Sequence, residues 1–386
     1  MPGMKFFSQL RRPTGLVRGI PRGVFLLLPL LATALGCLLI LPDDDTITIL
    51  SWNIENLFDA VDQGTEYHQF TSAGGWTEGD YHRRKERIAQ AILALRPRPD
   101  IFIFLEIENR EVLDALMDRH LVDIHAPYRV FASGPGAAIG IGVASRYPIR
   151  DARTHLARAG DFPPLRPVVE TRFDLAGRDL VVFSNHWKSK RGGAPATEPL
   201  RRASAQLLAA RMEELHRAEP DLPLLVAGDF NERPLEFELT GRSYPTALMP
   251  ARELIALAGA LAAGAEDLPS WVTPEWLREG DHLIWESSAG EAILGSSRLE
   301  RPVLVNLWDD TDAPGSFYFI NRWERIDSMF LSPSLFLPGS DLRFSAFAVP
   351  CPRDGCDSRG RPLSWEDDPR GVSDHLPLLL TLVRSP

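Results

Sequence analysis

The chain has 386 residues, 44% of them hydrophobic and 24% charged, an ordinary globular composition with enough apolar material for one large domain or two small ones. Its formal net charge of −10 excludes a protein that holds nucleic acid through a generally basic surface, since phosphates are neutralised by Lys and Arg. A local basic groove remains compatible with that total.

Residues 1–23 carry Lys5, Arg11, Arg12, Arg18 and Arg22 and no acidic residue, and an apolar run over 24–41 follows, interrupted by Pro29 and Gly36. A basic flank before an apolar run is the pattern of a targeting or anchoring segment. Its length stands at the lower edge for a membrane-spanning helix and above the usual core of a signal peptide, so an uncleaved anchor and a cleaved signal both fit, with a buried helix as a third reading. In the first two cases the positive flank stays inside and the rest of the chain is extracytoplasmic, secreted or membrane-anchored. Cys37 follows Ala34-Leu35-Gly36, an imperfect match to a bacterial lipid-modification box, and a plain membrane-segment cysteine is the simpler reading.

Asp43-Asp44-Asp45 closes the apolar run, and the globular part is expected over 46–384. Thr46 to Trp52 alternates as a strand does and ends in the polar Asn53-Ile54-Glu55-Asn56. Ile88, Ala91, Ile92 and Leu95 recur at helical spacing, which predicts a helix over 80–95 with Arg83, Arg84, Lys85 and Arg87 on a solvated face. Ile101 to Leu105 is a buried-strand run ending in Glu106, and a second helical segment spans 111–119. Strands are expected at 139–145, 168–173 and 179–184, the last two as a hairpin turning at Ala176-Gly177. A basic loop, Asn185-His186-Trp187-Lys188-Ser189-Lys190-Arg191-Gly192-Gly193, then leads to a helix over 200–217. The strand at 222–226 delivers Gly228-Asp229-Phe230-Asn231.

An Ala/Leu segment lies near 253–263, and Trp271, Trp276 and Trp285 form an aromatic patch. Core packing is its ordinary use, base stacking or lipid contact the sharper one. Strands are expected at 303–307, at 325–331 with Asp327 inward, and at 376–382 after Gly371-Val372-Ser373-Asp374-His375. Cys351 and Cys356 are spaced to close a small disulfide ring in an oxidising compartment; half of a zinc site is the rival reading and has no second Cys/His cluster nearby. Strands mixed with helices and no evident linker predict one α/β domain.

Sorted by chemistry, Glu106, Asp229 and Asp374 are carboxylates and Asn53 and Asn231 are amides. This is a hard-oxygen set without a thiolate, suited to Mg²⁺ or Mn²⁺ rather than zinc. His186 and His375 move protons near neutral pH, and Asp327 or Asp374 is placed to orient one of them. Lys188 adds a fixed charge for phosphoryl oxygens. Together these groups supply what in-line water attack on a phosphoester needs.

The order Ser51-Trp52-Asn53-Ile54-Glu55-Asn56, Leu105-Glu106, Asn185-His186-Trp187-Lys188-Ser189-Lys190, Gly228-Asp229-Phe230-Asn231, Arg325-Ile326-Asp327, Ser373-Asp374-His375 resembles the endonuclease/exonuclease/phosphatase superfamily over about 47–383. The resemblance implies a four-layer α/β sandwich, two packed mixed β-sheets flanked by helices, as a single catalytic domain after the N-terminal apolar segment. It implies metal contacts from Asn53, Glu106 and Asp374, with Glu55 a weaker candidate. It implies His375 oriented by Asp327 to activate or position water, Asp229 and Asn231 at the nucleophile and the pentacoordinate phosphorus, and His186 with Lys188 at a phosphate oxygen or leaving group. The number of metals and the identity of the base stay open.

The histidine at 186 and the loop after it look like exported bacterial nuclease-type members, so DNA or RNA is the expected substrate. A sphingomyelinase-like or phosphomonoesterase activity is the alternative, and a non-catalytic surface interaction module the remote one.

Overall fold

A computed structural model of the chain describes residues 45–385 apart from 161, 163 and 369. The apolar segment at 24–41, with Cys37, lies outside the described residues, among which no helix is long and apolar enough to cross a membrane. Strand β1 (Thr46–Leu57) sets the layering by its alternation. Ile47 and Ile49 face a core shared between two sheets, whereas Leu50, Trp52 and Ile54 face an outer core.

In chain order the other strands are β2 (Ile101–Ile107), β3 (Tyr128–Ser133), β4 (Gly140–Ser145), β5 (Ile149–His155), β6 (Val168–Asp174), β7 (Asp179–His186) and β8 (Leu224–Asp229). They are followed by β9 (Leu248–Pro250), β10 (Leu283–Glu286), β11 (Leu304–Asn306), β12 (Phe317–Phe319), β13 (Arg322–Glu324), β14 (Asp327–Leu331), β15 (Leu342–Ala348) and β16 (Leu378–Arg384). One mixed sheet runs β15-β16-β1-β2-β4-β3 and the other β5-β6-β7-β8-β14-β11-β10-β9, with β12 and β13 as a separate hairpin. Ile101, Ile103, Val143, Val182, Leu225, Met329 and Leu380 are among the side chains that fill the space between the two sheets.

Helix α1 (Glu78–Ala94) covers the outer face of the first sheet, where Ile88 and Ile92 share a core with Trp52, Phe102 and Phe104. The short α2 (Arg110–Ala115) follows β2. Helix α3 (Ala194–Ala218) covers the second sheet through Leu208, Met212 and Leu215, which share a core with Phe183 and Val226. Beyond β8 come α4 (Glu236–Leu239), α5 (Ala251–Ala262), α6 (Pro274–Glu279) and α7 (Ala289–Leu299). The order helix, sheet, sheet, helix is the four-layer sandwich.

Helix α1 departs from expectation in an instructive way. A capping box of Thr77 and Asp80 starts it at Glu78, ahead of the expected Asp80. Arg84 and Lys85, expected in solvent, are buried. Tyr81, Arg84, Lys85, Ile88 and Ile92 recur at three- and four-residue steps, so the two cations lie on the apolar stripe itself. Lys85 rests on the Tyr81 ring, 3.4 Å from its centroid.

The tryptophan patch is core: Trp285 lies beneath α3, and Trp276 and Trp271 join the cluster of α5 and α7. Cys351 and Cys356 are disulfide-bonded, their Cα atoms 6.1 Å apart. Strands β3, β5, β9, β10, β15 and the β12–β13 hairpin had no clear sequence signal. They are short or, like β5 (Ile-Arg-Asp-Ala-Arg-Thr-His), exposed along most of their length.

Candidate active site and metal centre

Strand parity places the polar groups before any contact is considered. Asn53 continues the inward set Ile47, Ile49, Ser51; Asp229 continues Leu225 and Ala227; Asp327 shares parity with Met329 and Leu331; His186 shares parity with Leu180 and Val182. All four therefore face the space between the sheets, at the end where the apolar filling stops. Register does the rest. In the second sheet His186 pairs with Asp229 and Asp229 with Asp327, so three adjacent strands present them in one row. In the first sheet Asn53 lies beside Leu105 on the parallel β2.

By the same parity Glu106 would face outward, away from this row. A register shift between Leu105 and Ile107, with Glu106 in the left-handed region at φ 64°, re-aims it. Asn231 (φ 51°), Glu55 (φ 54°) and Asn56 (φ 57°) share that conformation, a concentration of backbone strain around one rim. Gly228 has a structural duty: a Cβ there would fall 1.9 Å from the Asn185 carbonyl oxygen.

At the centre, the His375 Nδ1–H donates to Asp327 Oδ2 at 2.7 Å, and the Ser316 hydroxyl donates to the same oxygen at 2.6 Å. Ligand atoms of Asp229, Asp327 and His375 all lie within 4.8 Å of one another. Asn53 joins through Nδ2, which donates to Asp229 Oδ2 at 3.2 Å. His186 Nε2 stands 3.5 Å from Glu106 and 3.7 Å from Asp229. The backbone N–H of Asn231 donates to Asp229 Oδ1 at 2.8 Å, and its side chain donates to the Trp187 carbonyl. Asp374 lies 3.8 Å from His375 Nε2. The structure thus gathers Asn53, Glu106, His186, Asp229, Asn231, Asp327, Asp374 and His375 into one network.

Lys188 is different: its ammonium bonds to Ser189. Lys190 pairs with Glu236 at 2.8 Å, so part of the basic loop is neutralised internally. Glu55 is committed elsewhere too, since its carboxylate accepts from the Ser364 hydroxyl and from the backbone N–H groups of Trp365 and Asp374.

Burial, reinforced by Asp327, pushes the Asp229 carboxyl up to about 7. Burial, then the charges of Glu55 and Glu106 against the opposing pull of His375, pushes Asp374 up to about 7. Burial opposes the charge of His375, but Asp327 and Asp374 outweigh it and hold the imidazolium well above the usual range. Burial and the neighbouring Arg166 and His375 hold His186 well below the usual range. Carboxylates crowded until their acidity falls, with amide oxygens beside them and no thiolate, fit a divalent cation, which would reverse that crowding.

Several residues have positioning roles that the sequence reading did not assign. Ser373 donates its hydroxyl to the Asn53 carbonyl and accepts from the His375 N–H, tying the first motif to the last. Trp52 Nε1 donates to the His375 carbonyl. Arg84 donates to the carbonyls of Val372, Ile54 and Glu55. For Arg84 the helical stripe was a readable signal; for Ser316 and Arg166, in proline- and glycine-containing loops, there was none.

The description of the Endonuclease/Exonuclease/phosphatase family matches residues 48–243, just over half of the chain. The chain belongs to this family. It is accordingly a metal-dependent phosphoester hydrolase.

Solved structures similar to it include a truncated TDP2 of Caenorhabditis elegans, with 12% identity, TM-score 0.47, and coverage of 88% of this chain and 98% of that one. Another is the human nocturnin catalytic domain with bound sulfate, at 16% identity, TM-score 0.47, covering 89% and 96%. A third is the mannosyl-6-phosphatase of Bacteroides thetaiotaomicron, at 18% identity, TM-score 0.47, covering 87% and 99%. No curated protein matches the chain in sequence.

Proposed function

We propose that this family member is a Mg²⁺-dependent phosphodiesterase of nuclease type, exported or membrane-anchored through residues 24–41, that hydrolyses DNA or RNA by in-line attack of water. The observation that carries the reading is the in-register row of His186, Asp229 and Asp327 closed by the 2.7 Å bond from His375 to Asp327. The basic N-terminal flank and the Cys351–Cys356 bridge support export into an oxidising compartment.

Asn53, Glu106 and Asp374 are the residues to hold the ion, Mg²⁺ by the hardness of the donors and Mn²⁺ as the alternative. When bound it neutralises charge on a phosphoryl or leaving-group oxygen. Asp229, with its carboxyl near neutrality, accepts the proton of the attacking water, and Asn231 fixes the orientation of that carboxylate. His375, held as imidazolium by Asp327, presents its Nε2–H to a phosphoryl oxygen. This division of labour makes Asp229 the base, a point the family resemblance leaves open.

The deciding experiment incubates protein lacking residues 1–42 with DNA and with RNA, in Mg²⁺ and in EDTA. Metal-dependent cleavage of either supports the reading, and no cleavage of either rejects it.

A second substrate class is favoured by one feature. The β12–β13 hairpin exposes Phe319 (53%) and Ile320 (74%) at its tip, while Phe317 at its base stacks on His375 with ring centroids 4.6 Å apart. An apolar tip beside the reacting end suits a phospholipid head group presented at a lipid surface. Sphingomyelin vesicles and a panel of phosphomonoesters, assayed for released phosphorylcholine and phosphate, separate these substrates from nucleic acid.

A further inference from the structure

The network above collects carboxylates around the place a phosphate must enter, and a phosphodiester is itself an anion. Glu106, Asp229, Asp327 and Asp374 all border it, and Lys188, the cation expected to offset them, is bonded to Ser189 instead. The cation that does reach the network comes from a different strand.

Leu165 N–H donates to the Ala157 carbonyl and closes a loop that feeds directly into β6. Strand β6 is antiparallel to β7, with Val169 opposite Ser184, so continuing that register sets Arg166 opposite Trp187. Its Nη1 donates to the Trp187 carbonyl at 3.1 Å, the same oxygen that Asn231 Nδ2 contacts at 3.2 Å. Nη1 also donates to His186 Nε2 at 2.5 Å. Arginine is only ever a donor, so Nε2 is the acceptor here and has no proton to give a leaving group while that bond stands.

Among the described residues Arg166 has no carboxylate partner, unlike Arg129, Arg172, Arg201 and Arg211. Both of its bonds to His186 and Trp187 use Nη1, so a guanidinium with five N–H groups keeps donors for a further acceptor. A half-buried, unneutralised fork beside a row of catalytic-type side chains is an oxyanion receptor.

We propose that Arg166 is a catalytic residue that binds a non-bridging oxygen of the scissile phosphate, and that His186 serves to position it rather than to protonate the leaving group. The assignment rests on the phosphoester reading but not on which alcohol the phosphate carries. It makes the lead-in to β6 part of the site through Arg166, a position that lies in none of the motifs.

The test uses the full-length protein in detergent with saturating Mg²⁺, and the variants Arg166→Ala and Arg166→Lys. Two readouts are taken: inorganic phosphate binding by titration calorimetry, and kcat and KM on bis(4-nitrophenyl) phosphate. Thermal melts check that each variant is folded. Arg166→Ala is expected to lower kcat about 10²-fold or more, as for loss of one preorganised oxyanion donor. It is also expected to weaken phosphate binding about tenfold or more. Arg166→Lys should recover much of the binding but little of kcat, since a point charge replaces a planar fork.

Phosphate affinity unchanged in a folded Arg166→Ala protein overturns the proposal, whatever happens to kcat, because it reduces Arg166 to a support for His186. Wild-type protein that binds no phosphate overturns it as well. If the wild type cleaves neither DNA nor RNA but binds phosphate through Arg166, the nuclease reading falls and this assignment stands.

Discussion

Replacing Arg84 by alanine tests the connection between the helical layer and the site most directly. Its guanidinium is fully buried and donates to three carbonyls, those of Ile54 and Glu55 after Asn53 and that of Val372 before Ser373. It also lies over the Trp365 ring, 5.1 Å from the centroid, with Arg87 on the same ring at 5.3 Å. Burial presses its pKa down to about 10, so it remains a cation at neutral pH, balanced by Glu55 and Asp374.

Each charge-assisted bond to a carbonyl contributes about 1.5–3 kcal/mol. Their sum overstates the loss, because removing the guanidinium also removes its own desolvation cost and lets water reach the carbonyls. The expected destabilisation is the about 3–5 kcal/mol typical of breaking a buried ionic network. That is a large share of the roughly 5–15 kcal/mol holding a domain together.

The loss should appear in guanidinium denaturation as a lower midpoint at unchanged slope. Because the two clamped segments carry Asn53 and His375, metal affinity and kcat should fall with it, even under conditions where the variant is fully folded. Arg84→Lys should recover less than half of the stability, having no planar fork to span three acceptors. An Arg84→Ala protein within about 1 kcal/mol of wild type, with unchanged metal affinity, would refute the reasoning; that much is within the ordinary range for substitutions lacking a buried role.

Asp327→Asn leaves His375 without its carboxylate partner, and kcat should fall about 10²-fold or more at little cost in KM, measured under saturating metal. In the metal-free protein Asp229 and Asp374 titrate near about 7 instead of ~4, so the native state binds more protons than the unfolded chain between those values and stability falls as pH rises through them. Melting in EDTA should therefore drop between about pH 4 and 7, Mg²⁺ should raise the midpoint most at the upper end, and a rise with pH in EDTA would count against the crowded-carboxylate description. Gly228→Ala forces a Cβ against the Asn185 carbonyl and should cost about 3 kcal/mol or more, read as a lower denaturation midpoint. Separating Cys351 from Cys356 by serine substitution opens only a short ring and should cost about 2 kcal/mol at most in the same assay.

The reach of the sequence is clearest at the strand ends. Alternation along β1, β8 and β14 already decides that Asn53, Asp229 and Asp327 point the same way as their apolar neighbours, because the side-chain period of a strand is two and admits no other choice. Glu106 breaks that rule. Only the bulge and left-handed backbone at its position turn it toward the row, and a bulge depends on what the neighbouring strand does. The same limit applies to charge. The 83–87 run reads as solvent-facing when counted by residue type, yet the helical spacing of Arg84 with Ile88 and Ile92 held the information that it is buried. What that spacing does not hold is the set of carbonyls Arg84 would meet.

Element patterning determined one α/β domain, the residue types of the motifs the reaction chemistry, their order the family resemblance that implies the four-layer sandwich, and strand parity most of the polar rim, since each is read along the chain without knowing which strands pair. Which cation stands against His186 was decided by tertiary structure alone. Lys188 and Arg166 are 22 positions apart and both basic, and only the register of β6 on β7 sets Arg166 against His186 while Lys188 turns to Ser189. Pairing between strands is a long-range choice, fixed by the packing of two whole sheets, and no local pattern carries it.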